Sequence, residues 1–146
     1  MKPKVLTASL MICEKILIEK DNVHSLIRMV DLFHIPAKVS ADPTVQEFLE
    51  LTAVSLFKLE ADDESTHDVE MWLEGPSGEP RRLGGIQMKG EANPRGAPRG
   101  FNGRANVSVE AIEGLHLLSV RVDGEEVAKA YFNIERTQIE AERPEA

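Results

Sequence analysis

From Gly114 to Ile134 the chain reads GLHLLSVRVDGEEVAKAYFNI, two alternating apolar runs on either side of Val122-Asp123-Gly124-Glu125. An Asp-Gly pair set between alternating runs is the strongest short-range signal of a two-residue β-hairpin, because such turns need positive φ and these residues tolerate it. In the first run His116, Leu118, Val120 and Val122 share one face and Leu115, Leu117, Ser119 and Arg121 the other. After the turn Ala128, Ala130, Phe132 and Ile134 face one way, against Lys129, Tyr131 and Asn133. This segment predicts the closing hairpin of a sheet protein, with Gly124 serving the turn.

The same period of two recurs upstream. In THDVEMWLEG, His67, Val69, Met71 and Leu73 oppose Asp68, Glu70, Trp72 and Glu74, as in a half-buried strand. GPSGEP follows as turn chemistry, and RANVSVEAI alternates again through Ala105, Val107 and Val109. KVLTASLMIC and HSLIRMVDLFHI are apolar on both faces, as central strands are, while CEKILIEKDN reads as a strand extension or a helical turn. Asp42-Pro43 is a helix-start pair, so one short helix near residues 43–50 is allowed before a strand over 51–59. The fold class expected is all-β: a single-domain, antiparallel, immunoglobulin-like β-sandwich of about 7–8 strands. Its domain would span residues 1–135, with 136–146 as a polar, flexible C-terminal tail.

The order of landmarks resembles a family of uncharacterised bacterial proteins, a domain of unknown function of similar length. The resemblance runs from about Leu6 to Ile134 and is most specific over Glu14–Pro36 and Gly114–Ile134. It implies a compact β-sandwich without assigned activity or catalytic residues. The segment from Lys89 to Gly103 matches no part of the family pattern.

Charge narrows the partners. Seventeen Lys and Arg against 25 Asp and Glu give a net charge of −8, which disfavours general nucleic-acid binding. The opening MKPKVLTASLMIC imitates a signal peptide, yet its apolar stretch is short and runs into Glu14-Lys15. The expectation is a cytoplasmic protein with no membrane partner, and a lone Cys13 makes no internal disulfide.

Catalytic constellations are scarce. EADDESTHDVE, residues 60–70, holds six acids and His67, but lacks Ca²⁺-loop spacing and reads as a solvated loop. His24, His34, His67 and His116 show no HxH or HxxxH pair, and His67 and His116 fall on apolar faces, as hydrogen-bonded core histidines do. Cys13 lies in an apolar strand and reads as a small buried hydrophobe. No cofactor, metal or catalytic residue is predicted; a metal-dependent hydrolase at His67 is the weakest of three functional readings.

The positive signal is basic. From Pro80 to Arg104 six basic residues face one acid, Glu91, within an acidic chain. Pro94-Arg95-Gly96 and Pro98-Arg99-Gly100 repeat a motif, and the Pro94–Arg104 stretch reads as a long exposed loop. Arg95, Arg99 and Arg104 would meet carboxylates or phosphates, with Phe101 as a stacking face. Trp72 projects outward between Glu70 and Glu74 as a second contact point. The leading reading is a non-enzymatic binding or accessory module for a protein partner, with an acidic surface or a second copy. The alternative is a small-anion or nucleic-acid binder using the same loop.

Overall fold

The computed structural model describes residues 5–18, 24–29, 31–35 and 46–136, with side chains outside 14–18 and 24–29. Nine strands are present among them: β1 (Val5–Ile18), β2 (His24–Met29), β3 (Leu32–Ile35), β4 (Phe48–Leu59), β5 (Thr66–Glu74), β6 (Arg81–Lys89), β7 (Arg99–Glu110), β8 (Gly114–Val122) and β9 (Glu125–Arg136). They form two sheets, β2-β1-β4-β7 and β3-β9-β8-β5-β6. The chain is an all-β, single-domain, immunoglobulin-like sandwich, with no helix among the described residues.

The inner faces follow from alternation. Leu10 and Ile12 of β1, Leu51, Ala53, Phe57 and Leu59 of β4, and Val107 and Val109 of β7 cover one side of the core. Leu73 of β5, Leu118, Val120 and Val122 of β8, and Phe132 and Ile134 of β9 cover the other. Each buried Val, Leu, Ile or Phe among them contributes about 1.5–3 kcal/mol of hydrophobic stabilisation. The outer face of the first sheet is also closed near its centre, where Cys13 pairs with Thr52 and Met11 with Val54. Cys13 has no exposure and Val54 is 2% exposed.

The closing hairpin forms as its sequence implies. Asp123 and Gly124 take φ values of 51° and 82°, and the strands run antiparallel from Val122 opposite Glu125. A bulge between Val120 and Arg121 adds a residue on β9.

Several expectations are corrected. Residues 24–35 do not make a central strand: β2 and β3 are edge strands of different sheets, either side of a bend at Asp31. β3 alternates, with Phe33 edge-to-face on Phe132 (5.7 Å) and Ile35 buried, and it pairs with β9 in parallel rather than antiparallel fashion. Of the helix allowed near 43–50, Phe48–Glu50 belong to β4, paired with Ser108–Glu110; residues 43–45 lie outside the described residues. Arg136, assigned to the tail, is the end of β9, and its amide donates to Glu113 (2.7 Å). Residues 137–146 lie outside the described residues.

The largest correction falls in the basic stretch. Arg81–Lys89 is a strand against β5, and β7 begins at Arg99, so the irregular segment shrinks to residues 90–98. Twelve consecutive pairs with β4 override the low strand propensity of Gly100, Asn102 and Gly103.

Candidate binding face

One polar cluster is built into the sandwich. His67 of β5 is 4% exposed, and its Nδ1 lies 2.6 Å from Asp123 Oδ2 while its Nε2 lies 2.8 Å from Asp63 Oδ2. Carboxylates accept and do not donate, so both ring nitrogens must carry protons: the residue is an imidazolium between two aspartates. Burial alone would lower the His67 pKa, but the two carboxylates outweigh it and hold it above the ordinary value. Burial likewise opposes ionisation of Asp63 and Asp123. The Ser65 amide and His67 at Asp63, and His67 and the Asp68 amide at Asp123, leave both below the ordinary range.

Local geometry explains how the three groups meet. Asp63 turns inward by accepting from the Ser65 amide (2.9 Å), a short side-chain turn. Asp123 sits in the β8–β9 turn, accepts from the Asp68 amide (2.9 Å) and donates its own amide to Asp68 (2.8 Å). The 60–65 loop, read as wholly solvated, is therefore exposed at Asp62 and Glu64 and buried at Asp63. With both ring nitrogens occupied, His67 offers no lone pair to a substrate proton or a metal in this arrangement. Among the described residues no group of three or more His, Cys, Asp or Glu is placed to hold a metal ion.

The other candidates are dispersed. His116 is stacked on Phe132 (4.9 Å) and donates Nδ1–H to the Gly114 carbonyl (3.0 Å); burial lowers its pKa. His34 is exposed on β3, and the side chain of His24 lies outside the described ones. Cys13 directs its thiol to the Thr52 carbonyl (3.6 Å), and burial raises its pKa.

The five residues expected to meet a partner do not form one site. Arg95 is exposed in the 90–98 turn, where its amide donates to Asn93 (3.0 Å). Arg99 is partly covered and bonded to Glu91 (3.2 Å). Arg104 is exposed on the outer face of β7, opposite Val54 of β4. Phe101 is not a stacking platform: it lies opposite Phe57 on the inner face and packs against the core. Trp72 does face outward, but on the other sheet, and Arg121 lies 4.1 Å above its ring. Its indole Nε1 is buried without a hydrogen-bond partner.

What unifies the basic residues is a strand edge. β7 ends its sheet, and among the described residues no strand pairs with its second edge. Its register with β4 runs from Arg99 to Glu110 without a bulge. Sequence reasoning found the half of this edge after Arg104, where Ala105, Val107 and Val109 alternate, and missed Arg99–Gly103, which read as loop.

No helix among the described residues is long and apolar enough to cross a membrane. No family model and no curated protein matches this chain. A solved structure with some likeness is Pseudomonas fluorescens alkylpurine DNA glycosylase AlkC bound to DNA containing an abasic site analog, at 12% sequence identity and a TM-score of 0.44. The likeness covers 86% of this chain and 30% of that one, so this chain spans less than a third of that protein's length.

Proposed function

We propose that this chain is a non-enzymatic binding module that takes an extended, acidic segment of a partner protein along the free edge of β7. The observation that carries the reading is the β7 edge: twelve residues in unbroken register, without proline or bulge. Native sheets blunt their edges with such features, and an edge that lacks them is a template for strand addition. Backbone hydrogen bonds would then supply affinity, and side chains of alternate faces selectivity.

Arg104 near the middle of β7 sets the preference for acid. A second copy pairing there would bring like charges together, whereas a carboxylate on an added strand would meet an exposed guanidinium. Arg95 at the entrance adds to the same field. At physiological salt screening acts over about 8 Å, so charges close to the edge weigh more there than the net charge of −8. The non-enzymatic part of the reading is supported by the occupied nitrogens of His67 and the covered thiol of Cys13.

The test is fluorescence polarisation with a dye-labelled peptide alternating valine and glutamate, beside a single-stranded oligonucleotide of equal charge. Saturable, salt-sensitive binding of the peptide in preference to the oligonucleotide is expected. The reverse preference would replace this reading by the nucleic-acid alternative.

A further inference from the structure

We propose that the gap between the two sheets, where β6 faces β7, is a binding site for a small, neutral, mainly apolar ligand carrying one carbonyl or hydroxyl group. The cavity there measures about 320 Å³, at the lower end of the range typical of small-molecule pockets. It lies beside the edge proposed for strand addition, since β7 (Gly103–Ser108) and β6 (Leu83–Ile86) both line it, but the residues aimed into it are those of the inner faces.

The gap exists because the residues aimed into it are too small to fill it. Cross-strand partners share a face, so Gly84 opposite Met71 and Ile86 opposite Val69 lie on the inner side of β6. Ile86 is nevertheless 66% exposed, and a Cβ added at Gly84 would meet nothing within 4 Å. Across the gap β7 presents Gly103 and Ala105. Elsewhere the same two inner faces carry Leu, Val and Phe in contact. An interior packed to ordinary density does not leave such a space without side chains.

The lining specifies the ligand. Val69, Met71, Val107 and Val120 give apolar walls. Ser55, 6% exposed, also borders the cavity, and its hydroxyl has no hydrogen-bond partner among the described residues. Its Oγ lies 2.7 Å from where a Cβ on Gly103 would stand, so glycine there keeps the hydroxyl uncovered. A hydroxyl that faces the cavity is hydrated when no ligand is bound, and a ligand carbonyl or hydroxyl would take over the hydrogen bond that water otherwise makes. Glu70 and Arg104 border the gap, but alternation aims them at the outer faces, where Glu70 accepts from Arg82 (2.8 Å). Without an inward charge to pair it, an ionised ligand would be disfavoured.

The test uses 6-propionyl-2-dimethylaminonaphthalene, a neutral fluorophore with one carbonyl, and naphthalene as a competitor without one. Wild-type protein should bind the fluorophore saturably with a blue-shifted emission, one molecule per chain. Gly84→Phe, which fills the gap from β6, should weaken binding roughly tenfold or more and leave the thermal midpoint unchanged or raised. Should that variant fold poorly, Ala105→Leu fills the gap from the opposite wall with the same expected loss. Ser55→Ala should weaken the fluorophore about five- to tenfold, as the loss of one hydrogen bond does, and leave competition by naphthalene unchanged. Absence of saturable binding to wild type, or undiminished binding by the folded filled variant, overturns the site. Equal behaviour of both compounds in Ser55→Ala overturns the role of the hydroxyl and with it the ligand class.

Discussion

Asp63 and Asp123 hold opposite nitrogens of the same imidazole, His67, at 2.8 and 2.6 Å. One comes from the β4–β5 loop and the other from the β8–β9 turn, so a buried charge cluster ties two distant connections to β5. The Asp63 and His67 side chains are 1% and 5% exposed, against 31% for Asp123, and solvent screening of the inner pair is weak.

The cluster predicts a pH dependence of stability. A histidine whose pKa is raised on folding adds stability that is complete below about 6.5 and lost as pH rises through the folded value. The two aspartates, depressed on folding, add stability that is complete above about 3.9 and lost as pH falls through their folded values. The cluster therefore contributes most in the mildly acidic range between them. A variant carrying Asp63→Asn, His67→Gln and Asp123→Asn should show a flatter melting temperature from neutral to alkaline pH. His116, lowered by burial, works in the opposite direction but is common to both proteins. His67→Ala alone, which strands a buried carboxylate, should cost about 3–5 kcal/mol in chemical denaturation. An identical pH slope in the wild type and the neutral variant would show that His67 is not charged in the fold.

Gly90→Ala should disturb the same cluster from outside it. A Cβ at Gly90 would overlap the Asp63 carbonyl, and the Gly90 amide donates to Ser65 (2.9 Å). The loop must shift to accept the methyl group, so the expected loss is about 1–3 kcal/mol, with altered His67 ring-proton resonances. A neutral effect on both would contradict the close packing of the 60–65 and 90–98 segments.

Val120→Asp should prevent folding. Val120 is 1% exposed on the inner face of β8, and an unpaired buried carboxylate costs several kcal/mol against a total stability of roughly 5–15. Circular dichroism and thermal melting check this; a soluble, cooperatively folded mutant would mean that the strand facing is inverted.

How legible these features were depended on how local their causes are. The closing hairpin and β5 announce themselves through Asp123-Gly124 and a strict alternation that the fold retains. β6 was hidden because Gly84-Gly85 interrupts the apolar pattern and a bulge near Leu83 changes its parity, so that Leu83 and Met88 both turn inward. The start of β7 was hidden by Gly100, Asn102 and Gly103, whose extended form comes from pairing with β4. At the cluster, Asp63 and His67 are near neighbours in sequence, but Asp123 arrives only through the β5–β8 register. No local pattern carries that information.

Cys13 should behave as a packing residue. It has no exposure, and its thiol points at the Thr52 carbonyl. Native protein should react with a thiol reagent only at the rate of opening, and Cys13→Ser should be less stable than Cys13→Ala because it buries a stronger hydroxyl dipole. Rapid native-state labelling would contradict the burial.

The central claim, acidic strand addition on β7, is tested most directly by reversing its charge. Arg104→Glu lies on an exposed outer position and should change stability by no more than about 0.5 kcal/mol. In fluorescence polarisation the wild type should bind the alternating valine–glutamate peptide and reject its valine–lysine counterpart. Arg104→Glu should reverse that preference, and hydrogen exchange should slow at β7 amides when the preferred peptide is bound. An unchanged preference in a folded Arg104→Glu protein, or protection appearing on another strand, would contradict the account.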